Sequence, residues 1–268
     1  MKHLAALALA AALAAPPALA QESSGKTELT WYGHAAFTVR TPKGFVLAID
    51  PWLSNPADPV KDAAAKLGKV DAVLVTHGHS DHVGDAVAIG RRTHAKLVAS
   101  FELARQLALA GYPEEQAGMA TSGNMGGTIV LSDEVSVTIV PAVHSSGFSP
   151  DGKSAAVYGG NPVGFVIRVK GGPTLYHTGD TDVFGDMKLV GARWPVDVML
   201  ACIGGHFTMD PEGAATAAGL VGAKAIVPMH FGTFPILEGT PAALEKAIAA
   251  QGGQTKVLVM KPGETRRL

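Results

Sequence analysis

The apolar positions of the chain first fall into short strand-length runs and then into helical periods. "ELTWYG" (28–33) and "AFTVR" (36–40) read as two paired strands, with "GFVLAID" (44–50) as a third. "VDAVLVT" (70–76) is a continuous β-branched run, the pattern of a strand buried on both faces. "VGDAVAIGRRT" (83–93) and "FELARQLALAGY" (101–112) predict helices on either side of the strand "AKLVAS" (95–100), with Gly111 capping the second helix. "TIVLS" (128–132) and "VSVTIVPAVH" (135–144) read as a hairpin. Residues 145–162, rich in Gly, Ser and Pro, predict a long loop, either a wall of a substrate site or a disordered surface loop.

The second half repeats this outline. "VGFVIRVK" (163–170), "PTLYHTGD" (173–180), "VDVMLACIGG" (196–205) and "AKAIVPMH" (223–230) read as strands. "PEGAATAAGLV" (211–221) and "TPAALEKAIAAQ" (240–251) read as helices. No low-complexity linker divides the chain. Strands come in runs with helices interspersed, which predicts an α/β (α+β) fold of two sheets face to face with helices outside.

Composition changes this picture at one end. Lys2 and His3 precede "LAALALAAALAA", Pro16-Pro17 and a small-x-small site at 18–20. This is the layout of a secretory signal peptide over residues 1–20, cleaved after Ala20. The apolar run is short and Ala-rich for a membrane anchor, and no second long apolar run follows. The expected mature protein is one domain over 21–268, starting with the polar lead-in "QESSGKT". It is exported, to the periplasm of a Gram-negative cell, and keeps no stable membrane anchor. Net charge is −1, or −2 once Lys2 is lost, and no basic run is present, which argues against nucleic acid as a partner. Cys202 is the only cysteine, so no intrachain disulfide forms.

The chemistry concentrates in "VTHGHSDHVGD" (75–85), where His77, His79, Asp81 and His82 follow a buried strand and precede a helix. Such a junction turns several side chains into one crevice at the carboxyl end of a strand. Imidazole and carboxylate together suit Zn²⁺, Mn²⁺ or Fe²⁺. Asp50, His144, Asp180 and His230 each stand at or just past the end of another strand. Four separate strand ends thus deliver a metal-capable side chain.

This order of Asp, H-x-H-x-D-H, His, Asp and His resembles the five motifs of the metallo-β-lactamase superfamily across the whole mature chain. "THGHSDHVGD", "HSSGF", "YGGNPVGF", "YHTGDT", "DMKLVG", "FTMDPEGAA" and "PMHFGTFP" are similar to segments of its metal-dependent hydrolases related to the ascorbate-phosphate lactonases. The resemblance implies a four-layer αββα sandwich with the site at one edge of the sheets. It implies two divalent metal ions, zinc first and manganese or iron otherwise. His77, His79 and His144 would hold one; Asp81, His82 and His230 the other; Asp180 would bridge them. Asp50 would fix a ligand histidine from behind, and His177 would support Asp180.

The implied activity is a hydroxide, shared by the two metals and oriented by Asp81, cleaving a small-molecule ester, lactone or phosphoester. β-Lactam or thioester hydrolysis is the alternative within the fold, and a metal-holding protein without turnover the alternative outside it. The presumed bridging Asp180 disfavours the β-lactamase reading, and Cys202 reads as a buried strand residue. His34 matches a Gly-His of the lactonase-like group and could line the site or simply end a strand. His206 stands in "GGH" where many relatives carry "GDN"; a proton donor to the leaving group or a substrate contact is its expected role. His94 reads as surface.

Overall fold

The computed structural model describes residues 26–268. The expected leader, residues 1–20, and the start of the polar lead-in lie outside the described residues. In the first sheet, β1 (Glu28–Trp31), β2 (Phe37–Arg40) and β3 (Val46–Ile49) pair antiparallel, with Glu28 opposite Arg40 and Phe37 opposite Ile49. β4 (Ala72–Leu74) and β5 (Lys96–Val98) then add in parallel. The opposite edge is closed by β15 (Thr265–Arg267), which pairs antiparallel with β1.

The second sheet joins β6 (Thr128–Val130), β7 (Val135–Pro141), β10 (Val163–Val169) and β11 (Thr174–His177) by antiparallel pairing. β12 (Val198–Cys202), β13 (Ala225–Met229) and β14 (Lys256–Val257) continue it in parallel. Two antiparallel steps from β11 through β10 to β7 restore direction. The carboxyl ends of β7, β11, β12 and β13 therefore open at one edge of this sheet, as those of β3 and β4 do in the other.

The sheets face one another across a core that takes Leu29, Phe37, Ile49 and Leu74 from the first and Val137, Phe165, Ile167 and Leu200 from the second, all fully buried. Each such side chain stabilises the fold by about 1.5–3 kcal/mol. On the outer face of the first sheet, Val73 and Val75 pack with Ile89 of α3 (Ala86–Thr93) and with Leu103 and Leu107 of α4 (Phe101–Leu109), while α1 (Ala63–Lys66) lies beside α3. On the second sheet, α5 (Met187–Arg193), α6 (Pro211–Val221) and α7 (Pro241–Ala250) lie side by side. α6 and α7 start where the sequence says they should. Asp210 and Thr240 accept the Gly213 and Ala243 amides, and a proline occupies the first turn of each helix. Together these layers make the αββα sandwich.

Two expectations change. The helix read over 83–93 starts later, as α3, and Val83 instead ends a separate turn, α2 (Ser80–Val83), with the break at Gly84. Gly84 has φ of +40°, and a Cβ there would fall 2.4 Å from the Trp52 α-carbon. Beside it, the Asp85 carboxylate accepts the amides of Leu53 and Ser54 at 2.9 and 3.0 Å. The break thus clamps the 50–54 segment against the histidine loop. Residues 145–162, in turn, fold into a small hairpin of β8 (Gly147–Phe148) and β9 (Val157–Tyr158). Ser146 Oγ ties it down by accepting the Gly78 amide at 3.1 Å and donating to the Gly159 carbonyl at 2.9 Å.

Gly84→Ala is expected to lower unfolding free energy by about 1–3 kcal/mol, through overpacking and a strained backbone. Gly219→Ala, in α6 with no atom near its would-be Cβ, should raise it by up to about 1 kcal/mol. Urea unfolding of the two variants checks both signs; a Gly84→Ala protein as stable as wild type would remove the proposed clamp.

Candidate metal centre

Asp50 ends β3 in a left-handed conformation, φ +42°, that few non-glycine residues adopt. The strain aims its buried carboxylate at three donors: the Thr76 amide at 2.8 Å, Thr76 Oγ1 at 2.7 Å and His82 Nδ1 at 2.7 Å. A carboxylate only accepts, so His82 carries a proton on Nδ1 and turns Nε2 into the crevice. Because Thr76 Oγ1 gives its own proton to Asp50, it must accept from His77 Nδ1, 3.0 Å away. His77 is thereby fixed in the same tautomer. One carboxylate sets the ligand face of two histidines.

Three sets of metal-capable atoms converge: His77, His79 and His144; His34, Asp81, His82 and His230; and His77, His82 and Asp180. In the first set, His77 Nε2 and His79 Nδ1 point at each other at 2.9 Å. Asp180 Oδ2 stands between the sets. It is 4.0 Å from His77 Nε2 and 3.7 Å from His144 Nε2, and 3.3 Å from His82 Nε2 and 3.0 Å from His230 Nε2. Asp81 Oδ2 is 3.9 and 3.8 Å from the His82 and His230 Nε2 atoms. Donors sharing a zinc ion at about 2.0–2.2 Å lie roughly 3–4 Å apart. These separations match that spacing.

The unsatisfied atoms point the same way. His230 Nδ1 and Asp180 Oδ1 are buried with no hydrogen-bond partner, and the buried Nε2 atoms of His82 and His230 face only the Asp180 and Asp81 carboxylates. Orphaned buried donors and acceptors are costly unless something else meets them. A cation on each side of Asp180 would meet His82 Nε2, His230 Nε2 and the carboxylate at once, so the residues fit the group.

Charge is partitioned along the crevice. Burial, reinforced by the neighbouring His82, holds His77 well below the ordinary imidazole value, and burial also lowers His79 and His144. All three are therefore neutral, the ligand form. Burial works against charge at His82 and His230 too. There the Asp180 carboxylate prevails, with Asp50 at His82 and Asp81 at His230, lifting His82 well above its usual value and His230 to about 9. Burial would raise Asp180, but His230 and His82 outweigh it and keep it ionised.

Among the residues expected behind the ligands, His34 sits at φ +50° with its ring 3.9 Å from that of His230. Its Nε2 donates to Asp81 Oδ2 at 3.0 Å and its Nδ1 accepts from Thr233 Oγ1 at 3.0 Å. Burial, opposed by the Asp81 bond, draws it down to about 4, so it is neutral and holds Asp81 in place. His177 donates from Nε2 to the Ala35 carbonyl and accepts the Gly179 amide on Nδ1, both at 3.1 Å, which fixes the turn into Asp180. His206 is exposed on the loop after β12, at φ +57°, edge-on to Phe207 and outside all three ligand sets. Cys202 is fully buried, and burial and Asp180 push its thiol up to about 11. His94 is exposed beside Glu115. The sequence reading missed Thr76 and Thr233, whose hydroxyls orient His77 and His34. Thr76 was signalled only by its place directly before the first ligand.

Asp50→Asn should weaken metal binding by about 10–100-fold at the ligand sets of both His77 and His82, because it disturbs the two tautomers together. Competition with a fluorescent chelator measures this; loss confined to one metal would break the proposed link through Thr76.

The sequence model of the Beta-lactamase superfamily domain matches residues 46–231. A UPF0173 metal-dependent hydrolase of Anaeromyxobacter sp. (strain K) is 63% identical over 241 residues, 90% of this chain and 86% of its own. A relative of the same description from Thermodesulfovibrio yellowstonii is 53% identical over 92% of this chain and 94% of its own. Among solved structures, Igni18, a metallo hydrolase from the archaeon Ignicoccus hospitalis, superposes with a TM-score of 0.78 at 35% identity, over 91% of this chain and 98% of that one. The chain belongs to the metallo-β-lactamase superfamily, among its metal-dependent hydrolases.

Proposed function

We propose that the protein hydrolyses a small-molecule ester, lactone or phosphoester with two divalent cations, zinc first, held by His77, His79 and His144 on one side and Asp81, His82 and His230 on the other. The observation that carries this reading is the position of Asp180 Oδ2, within 3.0–4.0 Å of imidazoles from both sets. Cations so held supply a hydroxide at neutral pH and polarise the substrate oxygen.

The chain's own residues do the rest. Asp81 is the ligand-set carboxylate that faces solvent, with its side chain 26% exposed. His34 holds its Oδ2, and His34 and His230 outweigh burial to keep it ionised. It therefore accepts a hydrogen bond from the attacking water and orients it, rather than storing a proton at neutral pH. Attack breaks the bond to the leaving oxygen, which takes up a proton. The buried wall of His77, His82 and Asp180 excludes bulk water on the inner side, which strengthens the field at the reacting centre. Cys202, shielded in β12, offers no ligand in place of Asp180, so β-lactam chemistry gains no support from it.

Chelator-stripped protein should lose turnover across a panel of p-nitrophenyl esters, lactones and phosphodiesters and regain it with zinc, manganese or iron. Asp180→Ala should cut kcat by about a hundredfold or more, the scale of losing one preorganised electrostatic partner. Metal-independent turnover, or turnover of nitrocefin alone, would contradict the reading.

A further inference from the structure

The loops that surround the cluster share one property. Segments 50–58, 76–85, 142–148, 178–187, 203–210 and 230–240, which lie next to the ligands in the chain, contain no lysine and no arginine, and Lys61 comes only at the far end of the first of these loops. They do contain Asp58, Asp182, Asp186, Asp210 and Glu238 besides the carboxylates already described. An enzyme for an anionic substrate ordinarily presents a guanidinium or ammonium to the charge that the metals do not meet. Here nothing in these loops does so, and their field opposes an incoming anion. Lys153 is exposed in the hairpin between β8 and β9, where Asp151 accepts its backbone amide.

Exposed apolar side chains occupy the same loops. On one side Trp52 stacks on Phe234, ring centroids 6.0 Å apart, and both touch the ring of His34, which holds Asp81. Phe234 is 40% exposed. On the other side, Val143 precedes ligand His144 and is 52% exposed, and Phe207 is 55% exposed. Thr181, next to Asp180, ties these two loops together: its hydroxyl accepts the Val143 amide and its carbonyl the Met209 amide. Ile236, 45% exposed, lines an open cleft of about 480 Å³ with His206 and Glu238. Gly204, which packs against the His230 carbonyl, lines it as well. Apolar side chains left exposed on loops that carry or adjoin ligand residues are covered mainly when a ligand binds.

We infer that the substrate is an electrically neutral small molecule whose apolar acyl or aryl group seats between the Trp52–Phe234 pair and the Val143–Phe207 side, hence a carboxylic ester or lactone and not a phosphoester. This rests on the hydrolase reading above and narrows it. Hydroxide adds to the carbonyl carbon, the bond from that carbon to the ester oxygen breaks, and the alkoxide released takes a proton to leave as the alcohol beside the carboxylate.

A ladder of alkyl hydroxamates, from aceto- to octano-, tests the seat without relying on turnover, because the hydroxamate binds the metals while only the tail varies. With zinc-loaded protein, calorimetry should show affinity rising roughly two- to fourfold per methylene. Phe234→Ala and Phe207→Ala should flatten that slope, while Leu109→Ala, exposed on α4, should keep it. Phenylphosphonate should compete more weakly than hexanohydroxamate. A slope that is flat in wild type, or unaltered in both phenylalanine variants, overturns the apolar seat and leaves the metal centre standing. Phenylphosphonate competing more strongly than hexanohydroxamate overturns the neutral-substrate claim. Zinc-loaded protein that binds no hydroxamate overturns the hydrolase reading beneath it.

Discussion

One buried carboxylate oxygen, Asp180 Oδ2, stands within 3.0–4.0 Å of the imidazoles of His77, His82, His144 and His230. Bringing one anion and four imidazoles out of water costs several kcal/mol per ion unless opposite charge and directed lone pairs offset it. The surrounding structure arranges that offset. β4, β7, β11 and β13 all point their carboxyl ends at the same place although they belong to two sheets. Asp50 orients His82 directly and His77 through Thr76, and His177 fixes the turn that carries Asp180. His34, Asp50 and His230 all sit at positive φ. Strain of about 1–3 kcal/mol at each such residue persists only where the fold over-determines it.

Rigid and variable parts are divided cleanly. Ligands come from strand ends backed by the buried core, where a displacement of half an ångström would disturb the cluster. The mouth comes from loops, where Phe207, Phe234 and Ile236 can be replaced without touching the core between the sheets. The fold therefore fixes a cluster of metal-capable side chains, and its loops shape what reaches it.

Much of the centre was legible in the sequence because its signals are local. His77, His79, Asp81 and His82 crowd into six residues after an unmistakable buried strand, and Asp50, His144, Asp180 and His230 terminate apolar runs. What stayed hidden depends on partners far along the chain. Nothing near Gly84 announces that Trp52 packs against it and splits the helix. The residues of β15, Thr265–Arg267, carry no apolar strand pattern of their own, and β1 supplies their partner. α5 carries the segment "DMKLVG", whose resemblance to relatives gave its importance but not its conformation. Thr76 and Thr233 are ordinary threonines until the fold sets them beside His77 and His34. His206, singled out for its unusual loop, stands outside the ligand sets, exposed at φ +57° with its ring edge-on to Phe207.

Anomalous diffraction from crystals of protein grown in metal-replete medium tests the central claim most directly. The account predicts two peaks about 3.5–4 Å apart, one among His77, His79 and His144 and the other among Asp81, His82 and His230, with Asp180 between them. A single peak, or a metal outside these residues, would contradict it.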